Sequence, residues 1–272
     1  MPSHFSTIGM PVSSMEDINN FAKAVAPQTK QLPSIDGTYL QWRSTCGAEL
    51  WLQIDRNREY AGINPHFHGP ARMRVGLTAY MPSETPSVLD GSFHGWSEPA
   101  VAAESNEMTG TYPFVFDAPD ASVHRNQTLP IIGEVQIAAF AHEIALFEDE
   151  ATFYAAQTED SLKMAAESFI PSGLFGDREG TKARGLFVGK ILAVEHKTNS
   201  LTNISYWWAL VQTLGGQFDV VIDPALVERQ PVVGGLVQGS FWLSGRILSD
   251  SPSQDVTPAK KGFWSKLFGK AP

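Results

Sequence analysis

Cysteine is nearly absent. Cys46 is the only one in 272 residues, which excludes a disulfide framework and a cysteine-built zinc finger. No apolar run approaches the ~20 residues that a membrane-crossing helix requires. The opening Met1-Pro-Ser-His-Phe-Ser has no basic stretch leading into an apolar one, so a secretory signal is not expected and a cytoplasmic protein is. Basic residues are outnumbered, 20 Lys+Arg against 29 Asp+Glu for a net charge of −9, which argues against a dedicated nucleic-acid binder. Also missing are a Walker A loop, a G-x-G-x-x-G turn and a G-x-S-x-G elbow between strand and helix. Turn formers and aromatics are plentiful: 23 Gly, 18 Pro, 16 Phe, 7 Trp and 6 Tyr favour a β-rich architecture.

Charge is uneven along the chain. Residues 1–182 carry 11 Lys+Arg against 23 Asp+Glu, residues 183–249 carry 5 against 4, and residues 250–272 carry 4 against 2. These shifts coincide with changes of pattern. They predict an acidic α+β domain over 1–182, a small β-barrel domain over 183–249, and a flexible linker with a basic amphipathic tail over 250–272.

In the first part, Phe5–Val12 reads as a short strand, and Ser13-Ser-Met-Glu16 has capping-box spacing. Met15, Ile18, Ala22 and Val25 follow at helical intervals until Pro27. Alternation at 39–43 and 48–55 about the turn Ser44–Gly47 predicts a hairpin with one buried face, and Arg72–Tyr80 a further strand. The resulting order is β-α-β-β-β. Thr111–Phe116 reads as a strand and Phe169–Gly173 as loop. Glu134–Phe147 fits a strand by its apolar residues and a helix by its alanines; strand is preferred, because Glu148-Asp-Glu150 resembles the acidic first turn of a helix beginning after it. From 186 onwards the chain reads as all-β: two long strands, a Gly215-Gly216 hairpin, a return strand, a helical turn at Pro224–Arg229 and a last long strand, Leu236–Ile247.

The run Ser3-His4-Phe5-Ser-Thr-Ile-Gly9 and the capped helix at Ser14-Met-Glu-Asp17 make residues 4–80 resemble the first strand and helix of a vicinal oxygen chelate module, the unit of glyoxalases and extradiol dioxygenases. That resemblance implies a metal ligand at His4. The pair His66-Phe-His68, flanked by Pro65, Gly69 and Pro70, could add two imidazoles, so a divalent metal on His4, His66 and His68 is the alternative to no cofactor. The strand Arg72–Tyr80 departs from the module by offering no Glu, Asp or His. Residues 183–248, a three-strand meander, a short helix and a returning strand, resemble an OB-fold barrel with four clear strands where five belong. The resemblance implies a ligand face of Lys190, Tyr206, Trp208 and Arg246, although aromatics alternating about Trp207 must partly fill a core.

The tail is the sharpest local feature. After a Pro/Ser-rich linker, Phe263, Trp264, Leu267 and Phe268 fall on one side of a short helix among Lys260, Lys261, Lys266 and Lys270. Such a segment suits a partner's groove, an oligomer or, peripherally, the anionic inner face of a membrane. Its partner-binding residues are expected to be Phe263, Trp264, Lys266, Leu267 and Phe268. The expected function is a non-enzymatic interaction protein with a docking tail. A metal-dependent chelate-like enzyme or small-molecule binder, and single-strand nucleic-acid binding by the barrel, are the alternatives.

Overall fold

The capping motif predicted near residue 13 forms one position later. In the computed structural model, which describes residues 3–83, 87–102, 107–158, 163–172 and 182–248, helix α1 spans Met15–Val25. Its N-cap is Ser14, and Asp17 is the reciprocating acid. The Asp17 carboxylate accepts from the backbone N–H groups of Ser13 and Ser14 at 2.8 and 2.9 Å, a geometry Glu16 would not reach. Ser14→Ala is expected to cost about 1 kcal/mol, read as a Tm lower by about 2–4 °C.

The expected strand at Phe5–Val12 does not form. Ser6–Ile8 is a 3-10 turn, because Ser6 and Thr7 turn their hydroxyls back onto the carbonyls of Ser3 and His4. Ile8 and Met10 are buried as apolar plugs. The predicted hairpin is present as β2 and β3 within a four-stranded antiparallel sheet: β1 (Lys30–Ser34), β2 (Gly37–Arg43), β3 (Ala48–Asp55) and β4 (Tyr60–Phe67). Its tight turn uses Gly47 at φ 96°, which a side chain disfavours. One face, with Leu40, Trp42, Leu50, Leu52 and Ile54, packs with α1 and the 3-10 turn. The other face carries Tyr39, Gln41, Glu49, Trp51, Gln53, Asn64 and His66.

The strand predicted at 72–80 forms as β5 (Met73–Pro82), but it leaves this sheet, so β-α-β-β-β does not assemble as one module. It belongs to a large mixed sheet with β6 (Gly91–Ser97), β9 (Tyr112–Asp117), β10 (Ile131–Phe147), β11 (Ser168–Pro171), β12 (Arg184–Thr198), β13 (Ser205–Thr213), β14 (Gly216–Ile222) and β15 (Leu236–Ile247). A separate two-stranded flap pairs β7 (Ala100–Val101) with β8 (Met108–Thr109). Residues 134–147 are therefore strand, and 168–171, read as loop, are strand too. Helices α2 (Ala121–His124) and α3 (Glu150–Ala156) complete the described elements, α3 being capped by Asp149. The protein is β-rich, of α+β composition.

The pairings close two rings on one shared ribbon. β10 and β15 pair antiparallel along their length. β12, β13 and β14 complete one ring, with β12 on β15 and β14 parallel to β10. β5, β6 and β9 complete the other, with β5 on β10 and β9 parallel to β15. Each half runs as a three-strand meander, a short helical turn (α2, or the 3-10 turn Pro224–Leu226) and a returning strand. Even the bulges correspond, at Thr78 in β5 and Leu192 in β12. Counting from these bulges, Val75↔Gly133 matches Gly189↔Val237, and Ser244↔Asp117 matches Phe140↔Val221.

This arrangement corrects the expected boundary at 182/183. The fifth strand of the ring over 183–248 is β10, which lies before that boundary, and β11 pairs with β12 across it. The ring needs β10 because β14 and β15 do not pair with each other. One apolar core fills both rings, with Phe187 and Phe241 stacked at 3.9 Å between centroids.

Candidate functional site

The polar face of the four-stranded sheet lies on the outer face of the β10–β15 ribbon, and the seam between them holds a buried polar network. His66, on β4, is fully buried. Its Nδ1 is 2.8 Å from Ser244 Oγ and its Nε2 is 2.9 Å from Gln136 Oε1. Gln136 Nε2 donates to the Phe67 carbonyl at 3.1 Å and to Asp219 Oδ2 at 2.7 Å. Both of those partners are acceptors, so the amide oxygen of Gln136 must be the end that faces His66. His66 therefore carries its proton on Nε2, and its bare Nδ1 accepts the Ser244 hydroxyl proton. Asp219 also accepts from Trp208 Nε1 at 2.9 Å and from the Ala71 N–H at 3.1 Å. Gly69 passes so close that a Cβ there would lie 2.0 Å from Asp219 Oδ1.

Burial dominates the protonation of this relay. It pushes the His66 imidazole down to about 4 and the Asp219 carboxyl up to about 6. Glu49, also buried, behaves oppositely: burial opposes its charge, but His66, Arg43, Arg246 and the Trp51 N–H together hold it below the ordinary carboxylate range. Arg246 binds Asp120 at 3.2 Å and lies over the Trp51 ring at 4.7 Å. Burial likewise opposes the charge of Asp120, and Arg246 and His124 outweigh it to hold the carboxyl low.

A cavity of about 160 Å³ opens at the edge of the seam, lined among others by Asn64, Asp90, Asp117, Trp242 and Ser244. Asp90 Oδ1 accepts from Gln53 and Asn64 at 2.5 and 2.9 Å. Asp117 accepts from Ser92 at 2.6 Å and from the Trp242 indole at 2.5 Å. Burial, with some contribution from Asp90, pushes the Asp117 carboxyl upward.

The three histidines expected to bind a metal are not brought together. His4 stacks on Trp242 at 4.1 Å and its Nε2 meets His142 Nε2 at 2.7 Å; burial pushes it down to about 4. Both ring nitrogens of His66 are engaged in the relay, and His68 lies just beyond β4. Among the described residues no group of three His, Cys, Asp or Glu side chains is placed to hold a metal ion. The expected barrel face also fails to assemble. Tyr206 and Trp208 are buried beneath the N-terminal turn and the four-stranded sheet, their polar atoms bonded to the Cys46 carbonyl and Asp219. Arg246 is held by Asp120, and Lys190 stands exposed on β12. The tail residues Phe263, Trp264, Lys266, Leu267 and Phe268 lie outside the described residues. Cys46 sits partly buried in the hairpin turn, its Sγ 3.1 Å from Ser44 Oγ. No described helix is long and apolar enough to cross a membrane.

Sequence reasoning missed Gln136, Asp219 and Ser244. The one signal available was a polar residue within an otherwise apolar strand, as at Gln136 within Val135–Ala141. No family model, curated protein or solved structure matches the chain.

Proposed function

We propose that the protein is a non-enzymatic interaction protein, an acidic folded body that docks through its basic amphipathic segment at Lys260–Lys270. One observation carries the reading: the groups at the centre of the seam with the chemistry to act as acid, base or ligand are committed to one another. His66, Gln136 and Asp219 form a closed relay, while Glu49 and Asp120 are held by Arg43 and Arg246. Groups satisfied in this way build a rigid platform and leave little capacity for turnover. The finer architecture belongs to the same reading: each ring is an OB-like barrel, and the acidic excess carried by residues 1–182 complements a basic tail or a basic partner.

Deleting residues 259–272 tests it. The truncated protein is expected to melt at the same temperature as the full chain, and to lose both its cross-linked partner and flotation with phosphatidylglycerol vesicles. Recruitment that survives the deletion would remove the tail from the proposal. Loss of flotation alone, with protein capture unchanged, would assign the tail to lipid.

A further inference from the structure

Four side chains of the seam cavity, Asn64, Asp90, Asp117 and Ser244, share one chemical polarity. The Ser244 hydroxyl proton is directed to His66, because the Gln136 amide fixes the imidazole tautomer. Ser244 therefore has only lone pairs to offer the cavity. Asn64 donates its N–H to Asp90, which leaves its carbonyl oxygen as acceptor. Among the described residues Asp117 is bonded only by neutral donors, Ser92 and Trp242. The side-chain groups named here thus offer acceptors and two carboxylates, beside an indole.

The twin ring provides an internal comparison. Where one ring has Ser244 beside Asp117, the other has Phe140 beside Val221, both buried in the apolar core under the N-terminal turn. The same structural position is filled with hydrocarbon in one half and left as a cavity of about 160 Å³ with polar walls in the other. Burying a carboxylate there without a cationic partner is costly, so the polar version is a poor choice for packing alone.

Ser244 bonded to a histidine also has the form of an activated nucleophile. Two carboxylates in the same cavity oppose that reading, because an attacking serine builds negative charge on the substrate oxygen and needs donors around it. A cation is the species this wall stabilises. We propose that the cavity is a recognition site for a primary ammonium group, with Asp90, Asp117 and Ser244 accepting its three N–H bonds and the Trp242 indole covering its alkyl stem. Three acceptors match three donors, and the aromatic wall favours an organic cation over a bare metal ion.

A free alkylamine and a lysine side chain both present this group. Titrating n-butylamine and Nα-acetyl-lysine amide into the full-length protein, and following the Trp242 indole N–H by nuclear magnetic resonance at constant ionic strength, separates the two sources. Saturable shifts are expected, and the tighter of the two ligands identifies the source. Asp117→Asn is expected to weaken binding at least tenfold. Ser244→Ala, which leaves both carboxylates in place, is expected to weaken it severalfold; melting curves of each variant check the fold. An equal response to n-butanol overturns the proposal. So does saturation by magnesium chloride without a response to the amines, the absence of saturation by either amine, or wild-type affinity in both variants.

Discussion

Gln136→Leu is expected to lower the unfolding free energy by about 3–5 kcal/mol, the sum of stranding two or three buried polar partners at about 1–3 kcal/mol each and recovering part of it as apolar burial. The substitution keeps the volume of the side chain but removes the acceptor for His66 Nε2–H and the donors for Asp219 and the Phe67 carbonyl. Neither His66 nor Asp219 can turn to water, since both are fully buried. Urea unfolding would read the loss directly, and a Tm lower by about 10 °C is the thermal counterpart for a chain of this size. A Gln136→Leu protein as stable as the parent would mean that the relay is not satisfied as described. The neighbouring Ala138→Ser, on the same face of β10, would then be the better probe of how tightly the two layers fit.

The second large effect is on acid stability. His66 titrates at about 4 in the folded protein, below the ordinary histidine value of about 6.5. A histidine held neutral by burial binds its proton more weakly folded than unfolded. Its contribution is fully present above about 6.5 and is lost as pH falls towards 4, by about 3 kcal/mol over that window. His4, pushed to about 4 by burial, acts in the same direction. Asp219 opposes them. Its folded value, about 6, lies above its unfolded value, so the folded state binds the proton more tightly and gains stability as pH falls from 6 to 4. The parent protein should therefore lose less stability across this range than its two histidines would remove alone. Asp219→Asn removes the titrating group and turns one accepting oxygen into a donor that faces other donors, so the variant is less stable throughout, and its loss between pH 6 and pH 4 is expected to exceed the parent's by about 2 kcal/mol. Parallel pH curves for parent and variant would contradict the opposition of the two groups.

The local elements were largely legible in the sequence, and their partners were not. Alternation revealed the hairpin at 39–55, and apolar content favoured a strand at 134–147, because periodicity is a property of each strand by itself. Pairing is not. Nothing in Val135–Ala141 announces that β10 has neighbours on both sides drawn from residues 73–77, 219–221 and 236–247. The repeat of the two rings was hidden for a similar reason: corresponding positions share backbone register, not residue type, as Phe140 and Ser244 illustrate. The hydroxyls of Ser3, Ser6 and Thr7 decided the N-terminus by satisfying local backbone groups, and this outweighed the strand-like alternation of Ile8, Met10 and Val12. For the site, the sequence supplied the histidines but not their bonding. His66 looked like a ligand in a loop, whereas its neighbours across the seam, Gln136 and Ser244, are 70 and 178 residues away.

The shared ribbon also governs the order in which the chain can be completed. Neither ring can close before both β10 and β15 exist, and β15 ends only at Ile247. During synthesis, β5, β6 and β9 leave the ribosome with two of their barrel's five strands missing, and they wait for the last of these while more than a hundred residues are added. The meander of β12–β14 waits with them for the same final strand. The core shared by both rings is then completed, so its burial is gained in one late, long-range event, which favours slow and cooperative folding. A truncation before Leu236, which removes β15 whole, would leave two open sheets with exposed edges in place of one finished barrel and one broken one.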